Sequence, residues 1–469
     1  MQEEVDSRYC EGMKKRNSEL SRANEKKEES GREDSNLRPQ RPERCALPIC
    51  ATPRLPVLLY SASMSAANRK YFVLIMDGAA GWVLPAHEGK TCLELARTPN
   101  LDALVQTGTL GLVHNVPDGM EPSSACACMS LLGYDPRVYY KGRGSIEARS
   151  MEIPVAVGEY VFRCNLVSVR DGKMDSYASG YISNDESREL VAALEAGIGS
   201  DEVSFFPGIS YRHICKIKGH EDVLKAKCTP AHDIPGGVIA QHLPSGTGSE
   251  YLRDLMFRSV EVLEEHPVNV ARRARGEVPA NMIWLFWGSG QIPPMPSFLE
   301  TYGLNSAITS GVDLLQGLGK MIGTRVVDIP GVTGDIKNDY VAQIRGAVAA
   351  LDSSDMVIAH VEAPDEAGHD GSVADKVEAI ERIDNEMVSV LRGLAKDGVK
   401  ILIAPDHPTP IEVQTHVAEP VPFLLCGEEV ESNGGSRFTE AEAARTGLVV
   451  KDGFRLMGRF TSREVPLWP

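Results

Sequence analysis

Three segments of the chain are apolar at nearly every position. KYFVLIMDG (70–78), SDMVIAHVEAPD (354–365) and VKILIAPDH (399–407) each hold a run of strand length without polar alternation. Strands apolar on both faces belong inside a parallel sheet covered by helices. Between the second and third, KVEAIERIDNEMVSVLRGLAKDG (376–398) switches to helical spacing. Val377, Ile380, Ile383, Met387, Val390, Leu391 and Leu394 repeat at that spacing, and Gly398 follows as a stop. Strand, helix, strand predicts a βαβ unit and an α/β core with a mostly parallel sheet flanked by helices.

The stretch from about 151 to 290 reads differently. Its apolar segments are shorter (YVFRCNLVSV, SYRHICKIKG), turn residues are frequent, and DESRELVAALEAG (185–197) has helical character. It predicts an α+β domain inserted into a core made of residues 70–150 and 291–469. Residues 1–54 are charged and almost free of aromatic and β-branched residues, a composition that cannot bury enough apolar surface to fold alone. With Met64 as a natural start, residues 1–63 read as a disordered or extraneous extension.

Bulk properties narrow the function classes. A chain of 469 residues can hold two or three domains and a large core. A formal net charge of -16 argues against a nucleic-acid or membrane-surface binder, but leaves room for a small anionic substrate met by local cations. LPVLLYSASMSAA (55–67) is too short for a membrane span and lies too far in for an ordinary signal peptide. The ten Cys are scattered without a disulfide-like framework, so reduced thiols and a cytoplasmic setting are expected.

The candidate chemistry lies where the apolar runs stop. Asp77 follows the first. Asp365 follows the second, with His369 four residues on; Asp406-His407 follow the third, with His416 beyond. Sites on open parallel sheets form at the carboxyl ends of the strands, so these side chains are expected to converge. Three carboxylates and three imidazoles make a mixed O/N set suited to Mn²⁺, Zn²⁺ or Mg²⁺ rather than a thiolate site. Six ligands exceed what one catalytic ion with an open position takes, so two ions are expected. Upstream, PSSACACMSLLGYDP (122–136) places Ser123 and Ser124 before a short helical segment. A hydroxyl at a helix N-terminus beside a divalent ion can act as a nucleophile. The pair Cys126 and Cys128, with no second pair, reads as packing.

With these residues assembled, the chain resembles the alkaline-phosphatase superfamily, and within it the archaeal-type cofactor-independent phosphoglycerate mutases. The resemblance rests on VLIMDGAAGW, SLLGYDP, YYKGRGSIEA, FRCNLVSV, SYRHICKI, HVEAPDEAGHDG and APDHPTP, spread over residues 70–428. It implies an alkaline-phosphatase-like core. It also implies one ion on Asp365, His369 and His416, and another on Asp77, Ser124, Asp406 and His407. Ser124, rather than Ser123, aligns with the family nucleophile. The chain departs from the family pattern at Ala125, where Asp is usual, and at Cys128, where Asn or His is usual.

The resemblance further implies interconversion of 2-phosphoglycerate and 3-phosphoglycerate through a phosphoserine, with two divalent ions and no 2,3-bisphosphoglycerate. Mn²⁺ is the first expectation, with Zn²⁺, Co²⁺ and Mg²⁺ as alternatives. Substrate anions need cations, and Arg suits them best because its planar fork binds such groups bidentately. The candidates are Arg143, Arg163, Asn165, Arg212 and Lys376. The inserted domain is expected to close over the substrate and exclude water. Two other readings stay open: a metal-dependent phosphatase or phosphonate-processing hydrolase using the same nucleophile, and a non-catalytic scaffold.

Overall fold

The computed structural model describes residues 69–462. The expected extension 1–63, with Met64, and the closing residues 463–469 lie outside the described residues. In chain order the strands are β1 (Tyr71–Met76), β2 (Thr109–Val113), β3 (Glu159–Arg170), β4 (Lys173–Ser176), β5 (Val203–Phe206), β6 (Arg212–Lys218), β7 (Met282–Ser289), β8 (Ser306–Thr309), β9 (Arg325–Val326), β10 (Met356–Val361), β11 (Lys400–Ala404), β12 (Val421–Cys426) and β13 (Val449–Val450).

The three apolar runs form β1, β10 and β11, buried along their whole length. They sit in the middle of an eight-stranded sheet ordered β13-β2-β12-β11-β1-β10-β8-β9. Pairing is parallel except at β12, which runs against both β11 and β2. β10 and β11 are not neighbours: β1 lies between them, so the βαβ crossover passes over β1. That crossover is helical from Val373–Arg382 through Ser389–Lys396, joined by a π-helical segment Ile383–Val388. Ser372 caps its start by accepting from the Asp375 amide. Within the π segment Asp384 is buried, and its carboxylate accepts from the Asn100 and Leu101 amides at the start of helix Pro99–Val105.

A second, antiparallel sheet gathers β3 to β7 around the long β3, with β6 on one side and β7 on the other. Helices Asn184–Ile198 and Ser249–Leu263 pack against it and share its apolar core. Helix Arg143–Ser150 touches β3 and β7 and also helix Asp313–Met321 of the larger layer, so it joins the two sheets.

One local expectation changes. Asp365 does not end a strand, because β10 stops at Val361. Pro364, favoured in a first helical turn, opens helix Ala363–His369, and Asp365 and His369 fall four apart on one face of it.

Candidate active site

The carboxyl ends of β1, β10 and β11 meet, and the polar residues after them share one buried pocket. Two groups of donors stand side by side. In the first, His369 Nε2 lies 3.1 Å from Asp365 Oδ2, and His416 Nε2 lies 3.6 Å from Asp365 Oδ1 and 3.0 Å from His369 Nε2. In the second, His407 Nε2 lies 3.5 Å from Asp77 Oδ1, 3.2 Å from Asp406 Oδ2 and 3.2 Å from Ser124 Oγ. The His407 and His416 rings are 4.2 Å apart, so the groups abut.

Local backbone fixes these positions. Asp406 Oδ1 accepts from the amides of Gly78 and His407, which leaves Oδ2 facing the pocket. Thr409 donates to Asp365 and lies 3.3 Å from His407 Nδ1, tying the two groups together. Gly78 turns the chain after Asp77 with φ of 60°, and a Cβ there would meet Asp365 Oδ1 at 2.5 Å. The two serines separate: Ser123 caps helix Ser124–Leu131 by accepting from the Cys126 amide, while Ser124 turns its hydroxyl to His407.

The electrostatics of the pocket are those of crowded, buried carboxylates. Burial, then the carboxylates of Asp406, Glu362 and Asp365, push Asp77 well above the usual carboxylate range. Its Oδ1 is buried without a hydrogen bond. Burial and Asp365 push Glu362 up to about 8. Burial also drives His407 down to about 4 against the opposing charge of Asp406, so it presents a neutral imidazole. Despite burial, the hydrogen bond and charge of Asp365 lift His369 to about 9. Among the described residues, groups of donors that could hold an ion include Asp77, Asp406 and His407, and Asp365, His407 and His416. Crowded buried carboxylates, a partnerless oxygen and the neutral imidazole of His407 suit a divalent cation.

The cationic candidates fall into two kinds. Arg143 and Arg163 converge on Glu147: Arg143 Nε donates to Oε1 at 2.8 Å, and Arg163 donates to Oε2. Arg143 stacks over Trp287 at 4.1 Å, and Arg163 Nε donates to Asn165 Oδ1 at 3.0 Å. Arg212 sits partly exposed, 3.9 Å from Asp313. Lys376 is placed otherwise than expected. It is fully buried, and its ammonium donates to the carbonyls of Thr409 at 2.6 Å and Ala80 at 3.1 Å, binding two loops under the pocket. His232, on the second layer, is lowered to about 4 by burial and by Arg143, Arg163, His369 and His416, so it lies in the field of both clusters.

Sequence reasoning missed several of these groups. His360 Nε2 is 2.7 Å from Asp77 Oδ2, with Ser310 on its other nitrogen. A histidine inside an otherwise apolar strand was the available signal. Glu147 had one too, four residues from Arg143 at helical spacing. Cys128 is a correction: its Sγ donates to Asp406 Oδ2 at 3.4 Å and groups with Asp77 and His360, so only Cys126 is packing.

Comparison with known proteins gives a consistent picture. Residues 105–269 match the family model for 2,3-bisphosphoglycerate-independent phosphoglycerate mutase. The chain is 46% identical over 387 residues to the protein of that name from Methanothrix thermoacetophila, covering 82% of this chain and 97% of the relative. A solved structure of the PH0037 protein from Pyrococcus horikoshii superposes with TM-score 0.70 at 28% identity, covering 85% of this chain and 99% of that one. The cofactor-independent phosphoglycerate mutase of Thermoplasma acidophilum shares the fold, with TM-score 0.54 and 24% identity over 83% of this chain and 98% of that one.

Proposed function

The chain belongs to the 2,3-bisphosphoglycerate-independent phosphoglycerate mutases, isomerases that interconvert 2-phosphoglycerate and 3-phosphoglycerate, and on that premise we propose that Ser124 carries the phosphoryl group between the two hydroxyls. The observation that supports this reading is the position of Ser124 Oγ, 3.2 Å from His407 Nε2 at the rim of a buried carboxylate cluster.

Asp365, His369 and His416 would hold one divalent ion, and Asp77, Asp406, His407 and Ser124 a second, with Mn²⁺ the first candidate. Such ions supply charge neutralisation and make the serine hydroxyl easier to deprotonate. The protein's own groups do the rest. Ser124 Oγ attacks phosphorus, the bond from phosphorus to the glycerate oxygen breaks, and that oxygen takes up a proton. Glycerate then turns, its other hydroxyl oxygen attacks phosphorus, the bond from phosphorus to Ser124 Oγ breaks, and the proton that hydroxyl loses restores the serine. Arg143 and Arg163, held in a fork by Glu147, with Asn165 and Arg212, bind the substrate's carboxylate and phosphate. They stand on the β3 to β7 layer and on the helix that joins it to the core, so closure of that layer would keep water from the phosphoserine.

A coupled assay from 3-phosphoglycerate, without 2,3-bisphosphoglycerate and with metals supplied one at a time, tests the proposal. Formation of 2-phosphoglycerate with a labelled Ser124 is the expected result. Release of inorganic phosphate with no 2-phosphoglycerate would instead assign hydrolysis to the site.

A further inference from the structure

The pocket around Asp77 and Asp406 contains a donor that the proposed two-ion arrangement does not use. Cys128 lies on helix Ser124–Leu131, one turn beyond Ser124, and is completely buried. Its sulfur faces polar groups, whereas the neighbouring Cys126 packs with Val116 and Ala127. Cys128 Sγ stands 3.4 Å from Asp406 Oδ2, and Sγ lies with donor atoms of Asp77 and His360 inside a group no wider than 4.8 Å. Asp77 Oδ1, in that same pocket, is buried and accepts no hydrogen bond.

The spacing of the donors carries the next step. Ser124 Oγ to His407 Nε2 is 3.2 Å, His407 Nε2 to Asp406 Oδ2 is 3.2 Å, and His407 Nε2 to Asp77 Oδ1 is 3.5 Å. The sulfur to Asp406 Oδ2, at 3.4 Å, continues the series. Donors about 2.1 Å from one ion stand about 3.4 Å apart at a tetrahedral site, and roughly 3.0 Å apart at an octahedral one. The sulfur therefore stands from Asp406 Oδ2 at a spacing that two ligands of one ion take.

We infer that Cys128 is a thiolate ligand of the ion held by Asp77, Asp406 and His407, and that at this ion the pocket selects a thiophilic cation, Zn²⁺ or Co²⁺, in place of the Mn²⁺ taken above as first candidate, and over Mg²⁺. The inference rests on the two-ion reading of the site. Ligation exchanges the thiol proton, now directed at Asp406, for the ion, and that proton leaves to solvent. Soft sulfur strengthens binding of Zn²⁺ and Co²⁺ and adds little for the hard cations.

Two measurements on the full chain, stripped of metal and reloaded, decide the matter. With Co²⁺, elemental analysis should give two ions per chain, and a near-ultraviolet thiolate-to-cobalt charge-transfer band should appear. Cys128→Ser should lose the band, keep the two-ion stoichiometry at saturating Co²⁺, and bind Zn²⁺ about 10- to 100-fold more weakly, while Mn²⁺ binding changes little. With Zn²⁺, X-ray absorption on the wild-type chain should show a sulfur shell at about 2.3 Å, a distance set by Zn–thiolate bonding. That reading needs no variant, so a misfolded Cys128→Ser does not stall it. Two bound ions with a purely N/O shell, or a band that survives in Cys128→Ser, overturns the thiolate ligand and leaves the two-ion site standing. No bound Co²⁺ or Zn²⁺ at all overturns both.

Discussion

Glu147 offers the sharpest test of how Arg143 and Arg163, the cations proposed to bind substrate, are held. Its carboxylate is almost completely buried and receives one hydrogen bond from each of two guanidinium groups. Burial alone would raise its pKa, but the charges of Arg163 and Arg143 and their hydrogen bonds overcome it and hold the group at about 2, against an ordinary 4.5. At about 1.4 kcal/mol per pH unit, that gap corresponds to about 3 kcal/mol at neutral pH. The independent expectation for removing one partner of a buried ion pair is of the same size, about 3–5 kcal/mol. Glu147→Gln keeps the shape and deletes the charge, so it should destabilise the chain by about 3 kcal/mol in urea unfolding at pH 7. The folded pKa lies below the unfolded one, so the contribution is present above pH 4.5 and fades as pH falls toward 2. The stability gap between wild type and Glu147→Gln should therefore shrink to roughly half by pH 3. KM for 3-phosphoglycerate should rise with it, about tenfold or more, because Arg143 and Arg163 lose the anchor that aims them. Equal unfolding midpoints at pH 7, or a gap that does not narrow on acidification, would show that the carboxylate does not organise the pair.

Ser124→Ala should reduce mutase turnover by at least ~10⁴-fold and abolish phosphoenzyme labelling, while far-ultraviolet circular dichroism stays unchanged. Gly78→Ala puts a side chain on a backbone with φ of 60° and within 2.7 Å of the Asp365 Cα, so it should cost about 2–4 kcal/mol in urea and lower bound metal measured by elemental analysis. His213 is buried and held down to about 3 by burial, Arg163 and Arg212, so it folds neutral. Because its folded pKa lies below the unfolded 6.5, it supports stability above that pH and withdraws up to about 1.4 kcal/mol per unit as pH falls toward 3; His213→Gln should flatten that part of the stability-against-pH curve.

The strands that carry the pocket were readable because a segment apolar on both faces has few places to go. β1, β10 and β11 fall where the apolar runs predicted them, and the crossover helix follows its periodic positions except at Val390, which is exposed. Their order in the sheet was not readable. Hydrophobic pattern says that a strand is central, not which strand it pairs with, and so β1 between β10 and β11 appears only in three dimensions. The π segment has the same origin: it shifts the helix locally while Asp384 satisfies amides of another helix, a tertiary demand without a local signal. Polar residues at the ends of apolar runs drew attention to Asp77 and Asp406. His360 escaped it, and Cys128 was read as packing, because buried histidines and cysteines are ordinary inside strands and helices. Lys376 misled for the converse reason. A lysine shortly after a ligand motif suggests an anion partner, yet its three donors suit carbonyls as well, and two loop carbonyls claim it.

The sheet order also explains why the pocket requires residues so distant in the chain. A crossover that skips one place leaves a gap, and β1 fills it with its carboxyl end level with those of β10 and β11. Asp77 is thereby pinned between two segments, hydrogen-bonded to His360 at 283 residues' separation, while the next amide, that of Gly78, donates to Asp406 at 328. In such an arrangement the carboxylates are held close to one another: Asp77 and Glu362 follow strand ends, Asp406 accepts from two backbone amides and Asp365 accepts from the Thr409 hydroxyl. Their repulsion is built into the folded chain, and it raises Asp77 and Glu362 together. A divalent cation would relieve that repulsion, and the groups proposed to meet the substrate's anions, Arg143 and Arg163, stand apart on the joining helix and on β3. Dividing the charges in this way places the fixed negative donors on the larger sheet and the guanidinium groups of the proposed substrate site on the second layer and the helix that joins it.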